Sequence, residues 1–168
     1  MAMLSNSLTF AYASAEKLRM KSDGHYHINI PMFCEFGSFS NESIDFVFDT
    51  GAFLTVLTAK VSQLFGFTDK FTVRTNVPLD GFAGSCLVNI KEIPGMVIGG
   101  RRLEGVKVAV PHVNTDLNIL GLNVIELFKY FVDTENDMIY FADNPNPTIE
   151  EPLRCGKVHI MSPDLKQK

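Results

Sequence analysis

Apolar and polar positions alternate along most of this chain, and the dominant period is two, as in half-buried strands. Residues 25–37, HYHINIPMFCEFG, carry that alternation most clearly. A loop, SFSNES, separates them from a second strand at 44–49, IDFVFD. Residues 59–66, AKVSQLFG, read as a short helix that Gly66 ends. Residues 70–77 form another strand, and the glycine-rich turn at 78–85 leads into CLVNIKEI, which together predict a β-hairpin with a mobile tip. Residues 95–111 predict two strands joined at Gly99-Gly100, and LNILG at 117–121 a brief apolar strand. The next ten residues, LNVIELFKYF, have helical spacing, with Val124, Leu127, Phe128 and Phe131 on one face. A turn and a final strand follow at 135–142. LTFAYA at 8–13 is a further short strand, and the end is a polar tail with one apolar patch, VHIM. The expected class is all-β, mostly strands with one helix near the C-terminal end.

Composition narrows the field. The 168 residues suit one domain, and 46% hydrophobic content with 14 Phe is enough for a core. The net charge is −4, and basic residues do not cluster beyond Arg101-Arg102, which argues against nucleic acid or an anionic membrane surface as partner. No apolar run approaches the roughly 20 residues of a membrane span. The opening segment lacks the positive start and continuous apolar stretch of a signal peptide. Cys34, Cys86 and Cys155 are odd in number and widely spaced, which gives neither a disulfide framework nor a zinc pattern, so a reducing, cytoplasmic setting is expected.

One position breaks the apolar pattern. In FVFDTGAFLTVLT (46–58), Asp49 follows three apolar residues and precedes Thr50 and Gly51. A lone carboxylate in such a setting loses hydration unless it is paired, hydrogen-bonded or used. An Asp-Thr-Gly turn between strands would account for the three residues alone. The rest of the chain favours use: a second loop, Ile119-Leu120-Gly121, runs directly into the expected helix, and the hairpin lies between the two loops.

This combination resembles the retropepsin-like aspartic proteases, single-domain relatives of the retroviral enzymes, over about residues 25–142. Their pattern is two apolar residues, Asp-Thr/Ser-Gly-Ala/Ser, a flap hairpin, then two apolar residues and Gly before a helix. The resemblance implies an acid-protease barrel acting as a homodimer on a peptide or protein substrate, with no cofactor and no metal. It places the protease domain at 24–143, an N-terminal extension at 1–23 that is either a dimer-interface strand or a propeptide, and a linker and tail at 144–168. Asp49, Thr50 and Gly51 become the catalytic residues, with Thr50 bracing the pair across the dimer axis. Ala52, Val56, Gly81, Phe82, Ala83 and Ile119 become the substrate-binding residues, and their apolar character implies hydrophobic residues on both sides of the cut. This chain carries no second Asp-Thr-Gly, since Asp133-Thr134 is followed by Glu135, so two copies must each supply one Asp49.

The chain also departs from the retroviral pattern. Many retroviral members carry an Asp after the Ala and an Arg after the second Gly; here these are Phe53 and Leu122, so an apolar contact is expected instead, as in cellular and bacterial-type members. Ala52, where many relatives have Ser, removes a donor to the carboxylate. Activity reaching towards mildly acidic or near-neutral pH follows. The alternative to an endopeptidase is an inactive peptide-binding or dimerisation module of the same fold. A weaker one is a metal-binding β-domain using His25, His27 and Cys34.

Overall fold

The computed structural model describes residues 14–34, 39–81, 84–144, 146–147 and 156–160. The expected strand at 8–13 lies outside these residues. Eleven strands are described: β1 (Ser14–Lys17), β2 (Arg19–Met20), β3 (Tyr26–Phe33), β4 (Phe39–Phe48), β5 (Thr72–Gly81), β6 (Gly84–Ile98), β7 (Arg101–Pro111), β8 (Asn118–Leu120), β9 (Phe128–Asp133), β10 (Met138–Asp143) and β11 (Lys157–Ile160). Two helices interrupt them, α1 (Ala59–Leu64) and α2 (Leu122–Ile125), and a 3-10 turn covers Asp69–Phe71. The main sheet has eight strands in the order β11-β7-β6-β3-β4-β8, with β2 beside β3 and β5 beside β6. A second sheet of three strands runs β1-β10-β9. The mostly-β class expected from the sequence is the one observed.

The alternation read along the chain is the inward face of these strands. In β3, Ile28, Ile30 and Met32 are buried while Asn29 between them is exposed. They join Phe46, Leu57, Ile93, Met96, Ile98, Leu103, Val108, Ile139 and Phe141 in the main core. A smaller cluster of Val56, Val88, Ile90 and Ala109 lies apart from it. The turn between β6 and β7 uses Gly99 and Gly100 at φ +56° and +72°, the left-handed pair that a two-residue hairpin needs.

One expectation fails in an instructive place. The helix foreseen over LNVIELFKYF ends at Ile125, after a single turn. From Phe128 the chain is strand β9, paired antiparallel with β10 from Phe128↔Asp143 to Asp133↔Met138. Helical spacing of four apolar residues was ambiguous, because Phe-Lys-Tyr-Phe-Val is also a good strand sequence. Pairing with β10 decided it: Phe128 packs edge-on to Phe141, with ring centroids 5.3 Å apart. The Asp133 carboxylate then closes the hairpin turn by accepting from the Glu135 and Asn136 amides and the Asn136 side chain. Asp133 therefore serves as a turn residue.

The first and last described strands pair within the two sheets. β1 pairs with β10, β2 with β3, and β11 with the outer edge of β7. Among the described residues no helix is long and apolar enough to cross a membrane.

Candidate active site

Two loops bond to each other and share an apolar cluster with the arms of the β5–β6 hairpin. The first leaves β4 at Asp49; the second leaves β8 at Gly121. β4 and β8 are parallel neighbours, with Phe48 opposite Leu120, so their loops emerge side by side. The Asp49 amide donates to the Leu120 carbonyl at 3.1 Å. Beyond the loop, Val56 and Ile119 exchange two main-chain bonds of 2.8 and 2.9 Å. Leu122 N donates to Ala52 O at 2.8 Å and Asn123 N to Phe53 O at 3.2 Å.

Asp49 is half-buried, and its Oδ1 accepts the Gly51 amide at 2.8 Å. A Cβ at Gly51 would stand 3.1 Å from that oxygen, so glycine lets the main chain lie tight against the acid. Gly121 is held more strictly. A Cβ there would fall 2.4 Å from the Leu54 carbonyl carbon and 2.8 Å from the Thr55 nitrogen. Only a hydrogen side chain lets the two loops touch.

Beneath the loops lies a buried polar network that sequence reasoning did not single out. Asn123 is 1% exposed. Its Oδ1 accepts from both the Thr55 amide and the Thr55 hydroxyl at 2.8 Å, and its Nδ2 donates to the Lys107 carbonyl at 2.8 Å. Thr55 Oγ1 in turn accepts the Gly121 amide at 3.1 Å. Asn118 repeats the pattern one strand earlier, taking the Thr58 amide on Oδ1 and giving Nδ2 to the Asp45 carbonyl. The available signal was a Thr and an Asn inside apolar runs, each beside one of the two loops. Their 68-residue separation hid the pairing.

The sequence-predicted residues divide as follows. Thr50 and Gly51 are exposed at the tip of the Asp49 loop, and Ala52 is half-buried behind it. Val56 and Ile119 do come together, in the small cluster that also takes Leu54, Val77, Leu79 and Cys86. That cluster joins the loops to the arms of the hairpin. Cys86 is a partly buried free thiol packed there. Gly81 pairs with Gly84 at the hairpin tip; Phe82 and Ala83 lie outside the described residues. Phe53 is 57% exposed, and main-chain bonds join the two loops at this point.

The histidines are otherwise employed. His27 is buried with Nδ1 on Asp45 Oδ2 and Nε2 on Asp23 Oδ2, both at 2.8 Å, and Lys21 Nζ reaches the same Asp45 oxygen at 2.8 Å. The His25 amide, a main-chain donor, holds the Asp23 carboxyl below the usual carboxylate range; desolvation works against it and the His27 ring adds to it. His112 reaches the hairpin instead of Asp49, with Nε2 3.0 Å from Asn89 Oδ1.

The sequence profile of the family described as "Aspartyl protease" matches residues 37–124, just over half of the chain, including both loops and the hairpin. The chain belongs to the aspartyl protease family. Its fold is similar to that of a retropepsin-like aspartic protease from Rickettsia conorii, with a TM-score of 0.56 and 24% identity over 75% of this chain and 97% of that one. EIAV protease complexed with the inhibitor HBY-793 gives a TM-score of 0.47 and 15% identity over 64% of this chain and 90% of that one. No curated protein matches the chain.

Proposed function

We propose that this aspartyl protease family member is an endopeptidase that cuts extended, hydrophobic peptide segments with a water activated by two Asp49 side chains, one from each of two copies. The observation that carries the reading is Asp49 itself. Its carboxylate is set by the Gly51 amide where two loops bond to each other, and an apolar cluster joins those loops to the arms of the hairpin. One chain supplies one such aspartate. Two like charges a few ångströms apart share a proton, so one acid is ionised and takes a proton from the water while the other, protonated, polarises the scissile carbonyl. No covalent intermediate is needed.

The surface beside Asp49 supports a second copy there. Phe48, which precedes Asp49, packs edge-on to Tyr130 at 5.4 Å, and Tyr130 and Phe131 are 38% and 46% exposed on β9, the outer strand of its sheet. Thr50 at the exposed loop tip braces the pair across the axis. The substrate lies as an added strand, with Val56, Ile119, Ala52 and the hairpin tip (Gly81, Phe82, Ala83) around its central side chains. The hairpin acts as a flap that excludes water once closed.

The test is a digest of a mixed peptide library at several pH values, with Asp49→Asn as control and the mass in solution measured for both. Wild type should cleave between apolar residues, and the variant should lose activity by about 10²–10⁴-fold while remaining dimeric. Equal cleavage by the two proteins refutes the reading. A dimer that binds peptides without cutting them would instead establish the inactive binding module.

A further inference from the structure

Lys91 stands in the middle of β6 and is only 8% exposed. Lysine is almost never this buried unless paired. Its Nζ donates to the Phe67 carbonyl at 2.5 Å and lies 3.4 Å from Ser62 Oγ, while that hydroxyl also reaches the Phe67 carbonyl at 3.2 Å. Burial pushes the ammonium below the usual lysine range, and the charge of Asp69 offsets part of that. These neutral oxygens compensate a buried charge less well than a carboxylate would, so a well-packed apolar side chain would serve stability at least as well here.

The position of Lys91 along β6 gives it a different use. Its neighbours Val88 and Ile90 belong to the small cluster under the hairpin, whereas Ile93, Met96 and Ile98 belong to the main core. Lys91 thus sits at the base of the β5–β6 hairpin, opposite Thr72 and three residues inside Val88, where the inner arm parts from β7. Opposite it on β5 is Thr72, whose hydroxyl is buried with no hydrogen-bond partner among the described residues. From there the outer arm is irregular. The register slips between Thr72 and Arg74 and again between Arg74 and Val77, and Asn76 takes φ +52°. Bulges bend and twist a strand locally. Within this stretch the Asn76 amide donates to Asn89 Oδ1 at 3.2 Å, and that oxygen also contacts His112 Nε2 at 3.0 Å.

We propose that Lys91 is a positioning residue for the β5–β6 hairpin: its ammonium clamps the inner arm to the segment after α1 and confines bending to the bulged stretch 72–77. This rests on the reading of the hairpin as a cover over an extended substrate. A clamped root limits the excursion of the tip, so less motion has to be frozen when substrate binds. Without the clamp the pivot moves down towards the core, and substrate affinity falls while the Asp49 chemistry is left intact.

Amide hydrogen exchange and steady-state kinetics on Lys91→Met test this, with Ser62→Ala as a milder variant that keeps the lysine. Exchange in residues 77–90 should accelerate at least threefold, with β3 and β10 unchanged; KM should rise at least threefold with kcat within twofold. Ser62→Ala should move in the same direction by less, and it decides the matter if Lys91→Met does not fold. Ile30→Val, in β3, should lower stability without moving KM. Unchanged or slower exchange in 77–90, as relief of a buried charge alone would give, overturns the proposal. So does acceleration spread evenly over β3 and β10. Exchange needs no turnover, so a wild type without peptidase activity would sink the functional reading while leaving the role of Lys91 decided.

Discussion

Replacing Asn123 by Leu should be among the most damaging single changes in this protein. The side chain is similar in size, so the cost is almost wholly one of lost hydrogen bonds. Two buried groups, the Thr55 amide and the Thr55 hydroxyl, lose their partner, as does the part-buried Lys107 carbonyl. Each orphaned buried group costs about 1–3 kcal/mol. The hydroxyl can rotate and recover part of its share, so a total of about 3–6 kcal/mol is expected. That is a large fraction of the roughly 5–15 kcal/mol that holds a domain folded. For a chain of this size each kcal/mol lowers the melting temperature by about 2–4 °C, so the midpoint should fall by about 6–24 °C. Thermal melts followed by circular dichroism, with urea titration for the free energy, measure it directly. Peptide cleavage should fall as well, because Thr55 also holds the Gly121 amide and so the second loop. A drop of less than about 3 °C would mean that water or a shifted backbone satisfies these groups, and that the network does not brace the loops.

The other expectations are narrower. Gly121→Ala forces a Cβ to within 2.4 Å of the Leu54 carbonyl carbon, so the loops must part; a loss of about 1–3 kcal/mol and of cleavage is expected, and a urea midpoint equal to wild type would refute the contact. Asp23→Asn tests the carboxylate beside His27. A group whose folded value is lowered contributes stability above its unfolded value, about 3.9, and loses that contribution as pH falls through the folded value. The variant should therefore be less stable than wild type at neutral pH, with the gap closing on acidification below about pH 4; a gap that widens in acid contradicts the assignment.

Much of the fold was legible because strand alternation is a local property. The buried faces of β3, β6 and β7 follow from which residues are apolar, and Gly99-Gly100 marks their turn without reference to anything distant. The two site loops were legible for a related reason. Asp-Thr-Gly-Ala after two apolar residues, and two apolar residues before Gly121, are runs of adjacent residues, and their resemblance to the retropepsin-like pattern is what marked them. The stretch after Leu122 was misread because four apolar positions fit both periods, and only β10, lying further along the chain, chose the strand.

The sequence by itself placed Asp49 in an apolar run two residues before Gly51, put Gly121 at the end of a short strand, and carried the alternation that builds the sheets. Tertiary structure alone decided the partners of the buried polar groups: Asn123 with Thr55 across 68 residues, His27 between Asp23 and Asp45, and Lys91 on the carbonyl of Phe67. The physical reason is one of range. A side chain's own chemistry says that a buried polar group must find a partner, but which group meets it depends on how distant strands register, and no periodicity within one segment carries that information.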